Sequence, residues 1–246
     1  MAVGPVVGAA LGATAALATW LLRGWLDPLL LAALAVTVVA AATRLLHWDG
    51  LADTADGLGS GRPADQAREV MRRSDIGPFG VFAILAVFVL QVVALREVLT
   101  APHFFAVTAS NQAQLVREVE SVQQWTGLGA LLAALVLGRC ALLAACRRGV
   151  PAARPDGLGA AVAGSVGPGQ LAAGGLGAAL LLGVTVLLDP ALAWPALLLA
   201  AAVSVLWAVA GTAYLSRRLG GMTGDTMGAL VETTTAVALL VLAAAV

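Results

Sequence analysis

Apolar positions in this chain follow one another in long runs, without the one-in-two alternation of strands or the spaced stripe of a surface helix. Seven such runs stand out, at about 5–22, 29–46, 78–95, 127–146, 171–188, 194–215 and 229–246. Each is about 18 residues or longer, enough for a helix to cross the hydrocarbon core of a bilayer. Helices are favoured over a barrel because the runs exceed strand length. Gly and Ala are frequent within them, which lets helix backbones approach closely. Trp20, Trp25, Trp48, Trp125 and Trp194 fall near the ends of runs, where amphipathic rings sit at the membrane interface. The pattern predicts an all-α, polytopic membrane bundle of about seven transmembrane helices, one domain over 1–246. The first run lacks a basic segment before it and no polar domain follows, so it reads as a retained span and not a cleaved signal.

Composition agrees: 60% of the 246 residues are hydrophobic and 11% charged, against about 25% charged in a soluble domain. All fourteen basic residues are Arg, and the net charge of zero gives no electrostatic footing for a nucleic-acid partner. Cys140 and Cys146, six apart in one apolar run, point about 120° apart on a helix and read as packing residues. The arginines set the orientation. Arg62, Arg68, Arg72, Arg73, Arg147, Arg148, Arg154, Arg217 and Arg218 follow the second, fourth and sixth runs, whereas only Arg23, Arg96 and Arg117 follow the first, third and fifth. The positive-inside bias places the first group in the cytoplasm. The cytoplasmic segments are then 47–77, 147–170 and 216–228. The polar 100–126 segment, with His103, reads as an outward connector.

The unusual residues collect in those cytoplasmic segments. Residues 44–80 hold six of the fourteen carboxylates and five of the fourteen arginines. Asp49, Asp53 and Asp56 recur at i, i+4 and i+7; if the second helix continues inward they lie within about 60° of one another on one face. Like charges so placed weaken a helix unless neutralised. A hard cation does this, and Mg²⁺ binds one or two carboxylates together with substrate phosphates. The following turn, Gly57 to Arg62 with Gly59 and Ser60 at its centre, is suited to offer backbone N–H groups to a phosphate, and Arg62, Arg72 and Arg73 to offer forked donors. His47 suits either proton acceptance or interfacial packing. A second motif joins Arg139, about 10 Å deep in its helix at 1.5 Å per residue, to Arg154 and Asp156 in RRGVPAARPDGLG. An ionisable group at that depth marks a functional site by default. The third is GGMTGDTMGALVE, with Asp225 at a helix start and Glu232 two turns on, near the depth of Arg139.

These blocks, HWDGLADTADGLGSGR with REVMRRSDIGPFG, then ARPDGLG, then GGMTGDTMGALVE, strongly resemble the signature of the bacterial cobalamin synthase (adenosylcobinamide-GDP ribazoletransferase) family, in order and over nearly the whole chain. The resemblance implies an inner-membrane, Mg²⁺-dependent transferase with its active site facing the cytoplasm. Its substrates would be adenosylcobinamide-GDP and α-ribazole or its 5′-phosphate, and GMP would be released. Carried onto this chain, Mg²⁺ would sit on Asp49, Asp53 and Asp56 with Asp75 as a further ligand. Arg62, Arg72, Arg73, Arg139, Arg154 and Glu232 would contact substrate, with Asp225, a carboxylate of the acid cluster, or His47 taking the proton. A homo-oligomer is compatible with the sequence. The chain departs from the family in lacking an N-terminal stretch before the first run, in Thr233, Thr234 and Thr235 where a second acid is frequent, and in a longer 100–126 loop. Two rival readings are a CDP-alcohol phosphotransferase, whose signature has an Ala-Arg pair after its Asp-Gly, and a transporter with an acidic vestibule. DGLADTADG without an early Arg argues against the first, and the scarcity of polar residues in the first, fifth and sixth runs against the second. A purely structural membrane scaffold leaves the acids unexplained.

Overall fold

The structure, a computed structural model, describes residues 2–100, 127–189 and 192–245. The 100–126 connector and His103 lie almost wholly outside them. Ten helices are described: α1 (Gly4–Leu22), α2 (Pro28–Ala42), α3 (Leu46–Gly59), α4 (Ala64–Val70), α5 (Pro78–Thr100), α6 (Leu128–Ala145), α7 (Gly157–Val162), α8 (Pro168–Leu188), α9 (Trp194–Leu219) and α10 (Gly224–Ala243). Six are long and apolar enough to cross a membrane, and α2 with α3 makes a seventh candidate only as a pair bent by 91°. The chain is therefore the expected polytopic helical membrane protein.

α6 and α10 are buried along most of their lengths and form the centre. They meet where Gly138 lies against Thr235 and the Val231 carbonyl, leaving no room for a side chain. α1 packs on α6 through Gly4, Gly8 and Gly12, one per turn, set against Arg139, Leu135 and Leu132. A small-residue row of this kind substitutes close van der Waals contact for the hydrophobic drive that lipid removes. α8 and α9 present Leu180, Leu187, Leu198 and Leu206 outward.

The second run does not continue as one helix. α2 stops at Ala42, and Arg44 and Leu45 both adopt left-handed backbone, at φ 52° and 61°. For non-glycine residues this conformation costs about 1–2 kcal/mol each. The Thr43 hydroxyl donates back to Val39 and Ala40 carbonyls, and Leu45 N–H donates to Ala40 O at 2.8 Å, closing the end. The aspartates thus ride on a separate helix that turns away from the span and packs against α10 and α5.

At this end the three Arg-rich connections are stitched together. Arg68 of α4 donates to the Leu219 carbonyl at the end of α9. Ala153 N–H donates to Met222 O at 3.0 Å and Met222 N–H to Pro151 O at 2.9 Å. Gly221, at φ 145°, passes so close to Ala152 and Ala153 that a Cβ would fall 2.5 Å from their backbone. Thr223 then caps α10, exchanging hydrogen bonds with Thr226 in a capping box.

Candidate functional site

Gly50 makes the site. A Cβ there would stand 2.6 Å from the Asp225 carbonyl oxygen and 2.8 Å from its Cα, so α3 crosses the first turn of α10 in backbone contact. One turn along, Gly228 of α10 lies against the His47 backbone, 3.0 Å from where its Cβ would be. The crossing brings Asp49 and Asp53 beside Asp225, although they are far apart in sequence. Asp53 shows the consequence. Its carboxyl is pushed up to about 7, first by burial, then by the charges of Asp49, Asp225 and Asp56, with Arg154 acting in the opposite sense.

Positive charge closes the other side. Arg154 Nη2 lies 3.7 Å from Asp225 Oδ2, and Arg72 Nη2 lies 4.0 Å from Asp156 Oδ1. Burial, and next the nearby Arg72, hold the Arg154 guanidinium below its ordinary value; Arg68 adds to this, while Asp225 and Asp156 oppose it. Nε and Nη2 of Arg154 are buried without a hydrogen-bond partner. A cavity of about 190 Å³ opens here, lined by Arg154, Asp156, Leu158, Thr223, Gly224 and Asp225 among others. Crowded cations around an open cavity at a helix N-terminus are suited to hold an anion, and the acids beside it are suited to hold a cation.

Several expected residues serve other purposes. Both Asp56 oxygens accept backbone N–H groups, Oδ2 from Gly77 at 2.7 Å and Oδ1 from Gly80 at 2.9 Å. Asp56 therefore anchors the start of α5 instead of facing the other acids freely. The expected glycine cradle is not met at Gly59 and Ser60, because α3 runs through Gly59. Gly57 makes room for Met71, Gly59 for the Phe79 ring, and the Ser60 hydroxyl donates to Gly57 O at 2.7 Å. Arg62, Arg73 and Asp75 are exposed, and the Arg62 carbonyl accepts from Arg218 at 2.8 Å.

His47 turns toward the bundle interior, its Nδ1 3.6 Å from Glu232 Oε1. Gln91 Nε2 holds the same glutamate, donating to Oε2 at 3.0 Å and to its backbone carbonyl at 3.2 Å. Arg139, 2% exposed, lies within electrostatic reach of Glu232. His47, Glu232 and Arg139 are thus a buried polar group under the site and do not line the cavity. Gln91 and Gly50 were missed in the sequence. An amide alone in an apolar run is the signal for the first; nothing local marks the second.

We expect Asp56→Ala to lower the unfolding midpoint in detergent, since two backbone donors at a helix start lose a charged acceptor worth about 1.5–3 kcal/mol per bond. Divalent-cation affinity should stay within about threefold of wild type, less than the loss of one ligand contact would cost. Isothermal titration with Mn²⁺ checks it; a tenfold loss would return Asp56 to the metal.

Among the described residues no three acidic, histidine or cysteine side chains form a ready-made metal cage. Asp49 and Asp53, with Asp225 opposite, nonetheless suit a cation that takes one or two carboxylates and completes its shell with phosphate oxygen and water. Burial and the neighbouring carboxylates both disfavour a bare charge on Asp53, and a bound cation would offset both.

A family model described as cobalamin-5-phosphate synthase matches residues 1–243. The chain is similar to the adenosylcobinamide-GDP ribazoletransferase of Frankia casuarinae, 38% identical over 99% of this chain and 84% of the relative. The proteins of the same name from a Nocardioides species and from Bradyrhizobium diazoefficiens are 36% and 35% identical. They cover 89% and 98% of this chain, and 75% and 81% of their own lengths. No solved structure matches the chain.

Proposed function

The chain belongs to the cobalamin-5-phosphate synthase family, and from that premise we propose that it is an adenosylcobinamide-GDP ribazoletransferase working at the cytoplasmic face of the cell inner membrane. The reaction transfers the adenosylcobinamide phosphoryl group to α-ribazole or its 5′-phosphate and releases GMP, a late step of cobalamin biosynthesis. One observation carries the reading: three segments distant in sequence bring Asp49, Asp53 and Asp225 together beside Arg154 and Arg72, with Arg154 and Asp225 lining one cavity. Phosphoryl transfer asks a protein for this, charge neutralisation and positioning with little covalent chemistry.

In this reading Arg154 and Arg72 bind the non-bridging oxygens of the diphosphate, assisted by the N-terminus of α10. Asp49 and Asp53 would hold Mg²⁺, which supplies charge neutralisation on the diphosphate when bound. The ribazole 3′-hydroxyl attacks the cobinamide-side phosphorus; the bond from that phosphorus to the bridging oxygen breaks, and GMP leaves with the electron pair. Asp225, lining the cavity, takes the hydroxyl proton. A bulky corrinoid can rest beside the bilayer while the nucleotide stays in water.

The test is direct: purified chain in nanodiscs, given adenosylcobinamide-GDP, α-ribazole and Mg²⁺, should release GMP and form adenosylcobalamin. Failure to do so, or CMP release from a CDP-alcohol substrate instead, overturns the assignment.

The acid cluster also sets a pH dependence. Without a cation Asp53 ionises at about 7, well above the 3.8 of a free carboxyl. The folded state therefore holds a proton that the unfolded chain has lost, and this group makes the cation-free protein less stable as pH rises from 3.8 toward 7. A divalent ion must displace that proton. Its apparent affinity should fall about tenfold per pH unit below 7 and level off above it. Mn²⁺ titrations between pH 5.5 and 8.5 read this, and Asp53→Asn should remove the slope.

A further inference from the structure

α3 starts without a cap of its own. Arg44 and Leu45, just before it, have left-handed backbone, and no side chain accepts from its first turn. The rotation of α3 about its axis therefore needs a tertiary anchor. That angle matters, because a carboxyl at a radius of about 5–6 Å moves by about 1 Å for a turn of about 10°.

The anchor comes from below. His47 lies on the side of α3 that carries the buried Gly50, Leu51 and Thr54, about 120–160° round from Asp53 and Asp49. Its Nδ1 is buried without a hydrogen-bond partner and stands 3.6 Å from Glu232 Oε1, beyond a hydrogen bond but within ion-pair reach. A buried ring nitrogen that faces a carboxylate turns its hydrogen toward it. Glu232, 3% exposed, is itself fixed from α5. Gln91 donates to Oε2 at 3.0 Å and to the Glu232 carbonyl at 3.2 Å, which leaves Oε1 for the histidine. Arg139 of α6, its guanidinium nitrogens buried without hydrogen-bond partners, supplies the opposite charge that a buried glutamate requires.

We propose that Glu232 and Gln91 are positioning residues for the reaction. Gln91 aims the glutamate, Glu232 holds His47, and the held ring sets the rotation of α3 that puts Asp49 and Asp53 beside Asp225. Apolar faces of similar volume pack acceptably in more than one arrangement, whereas a buried polar contact is met in one only. The inference rests on the phosphoryl-transfer reading of those aspartates.

The test uses the full chain in nanodiscs, read by kcat, by KM and by distances between spin labels on α3 and α10. His47→Asn should keep at least about a fifth of wild-type kcat, because its amide nitrogen stands near the place of Nδ1 and can donate to Glu232. His47→Gln, with its amide nitrogen nearer the place of Nε2, and His47→Leu should lose about a hundredfold in kcat, the worth of a 1 Å misplacement. Their KM for α-ribazole should stay within about threefold of wild type, since only the reacting geometry has changed. Label distances should shift in these two variants and not in His47→Asn. Gln91→Leu should lose about tenfold, and Gln91→Leu/His47→Leu should be no slower than His47→Leu, because both act through one contact. Wild-type turnover in His47→Leu overturns the proposal. So does a His47→Asn protein as slow as His47→Leu, which would make the ring itself a proton carrier, and so do losses that multiply in the double variant. If His47→Leu does not fold, His47→Gln carries the comparison. Should wild type release no GMP, the functional reading falls, and the label distances still decide this one: His47→Asn must match wild type and His47→Leu or His47→Gln must not.

Discussion

Asp53→Asn should reduce GMP release by about a thousandfold or more while leaving the protein folded and, without a cation, more stable than wild type. The two effects share one cause. Burial first, and then the charges of Asp49, Asp225 and Asp56, push the half-buried Asp53 carboxyl up to about 7. Asparagine fills nearly the same space and removes the repulsion, so the cation-free fold gains. It also removes one of the two carboxylates proposed to hold Mg²⁺ against the diphosphate, and in that reading transition-state charge is left unneutralised. Raising Mg²⁺ should not restore turnover, since the missing ligand leaves a site with the wrong charge. Paired measurements of GMP release and of the unfolding midpoint without divalent ions decide this. Turnover within about tenfold of wild type would sink the metal assignment, because one electrostatic group at a reacting centre is worth more than that. A lowered midpoint would show that Asp53 has a structural partner instead of repelling neighbours. Such opposed changes in activity and stability are characteristic of functional residues held in unfavourable surroundings.

The helices were readable because lipid imposes a simple rule: a span must be apolar for its full length. The common face of Asp49 and Asp53 was readable for a similar reason, since helical spacing is local. The break between α2 and α3 was not. No Gly or Pro stands at Thr43 to Leu45, and left-handed backbone at Arg44 and Leu45 is imposed by the packing of α3 across α10. Asp56 illustrates the same limit. Its acceptors were assigned to a cation because its sequence neighbours are acids, yet the donors that use it stand 21 and 24 residues away. Gly57 and Gly59 read as a phosphate loop in a string of glycines, whereas Met71 and Phe79 fill the space they leave. Where residue type and local period decide, the sequence sufficed. Where a tertiary partner decides, the same residue types supported two readings and the three-dimensional contact selected one.

The second large effect concerns a residue with no side chain. Gly50→Ala should cost about a hundredfold in kcat/KM, and Gly50→Val more, because a misplacement near 1 Å is worth that much in a positioned reaction. The Cβ would meet Asp225 backbone at 2.6 and 2.8 Å, and backbone in the first turn of a capped, buried helix cannot swing aside as a side chain can. α3 must therefore lift from α10, parting Asp53 from Asp225 and loosening the support under both. Overpacking of this kind also costs about 1–3 kcal/mol of stability. Gly228→Ala should be milder, its Cβ standing 3.0 Å from the His47 Cα. Gly175→Ala supplies the control: it lies in α8 with nothing within 4 Å of the added Cβ, so activity should be unchanged and stability equal or higher by up to about 1 kcal/mol. The ordering discriminates between a contact and a composition effect. If all three alanine variants lose activity alike, glycine matters for chain flexibility. If Gly50→Ala alone fails, and distances between spin labels on α3 and α10 lengthen with it, the close crossing of these two helices is what assembles the site. Normal turnover in Gly50→Ala would mean that the acids work from a wider separation, and the pairing of Asp53 with Asp225 would have to be abandoned.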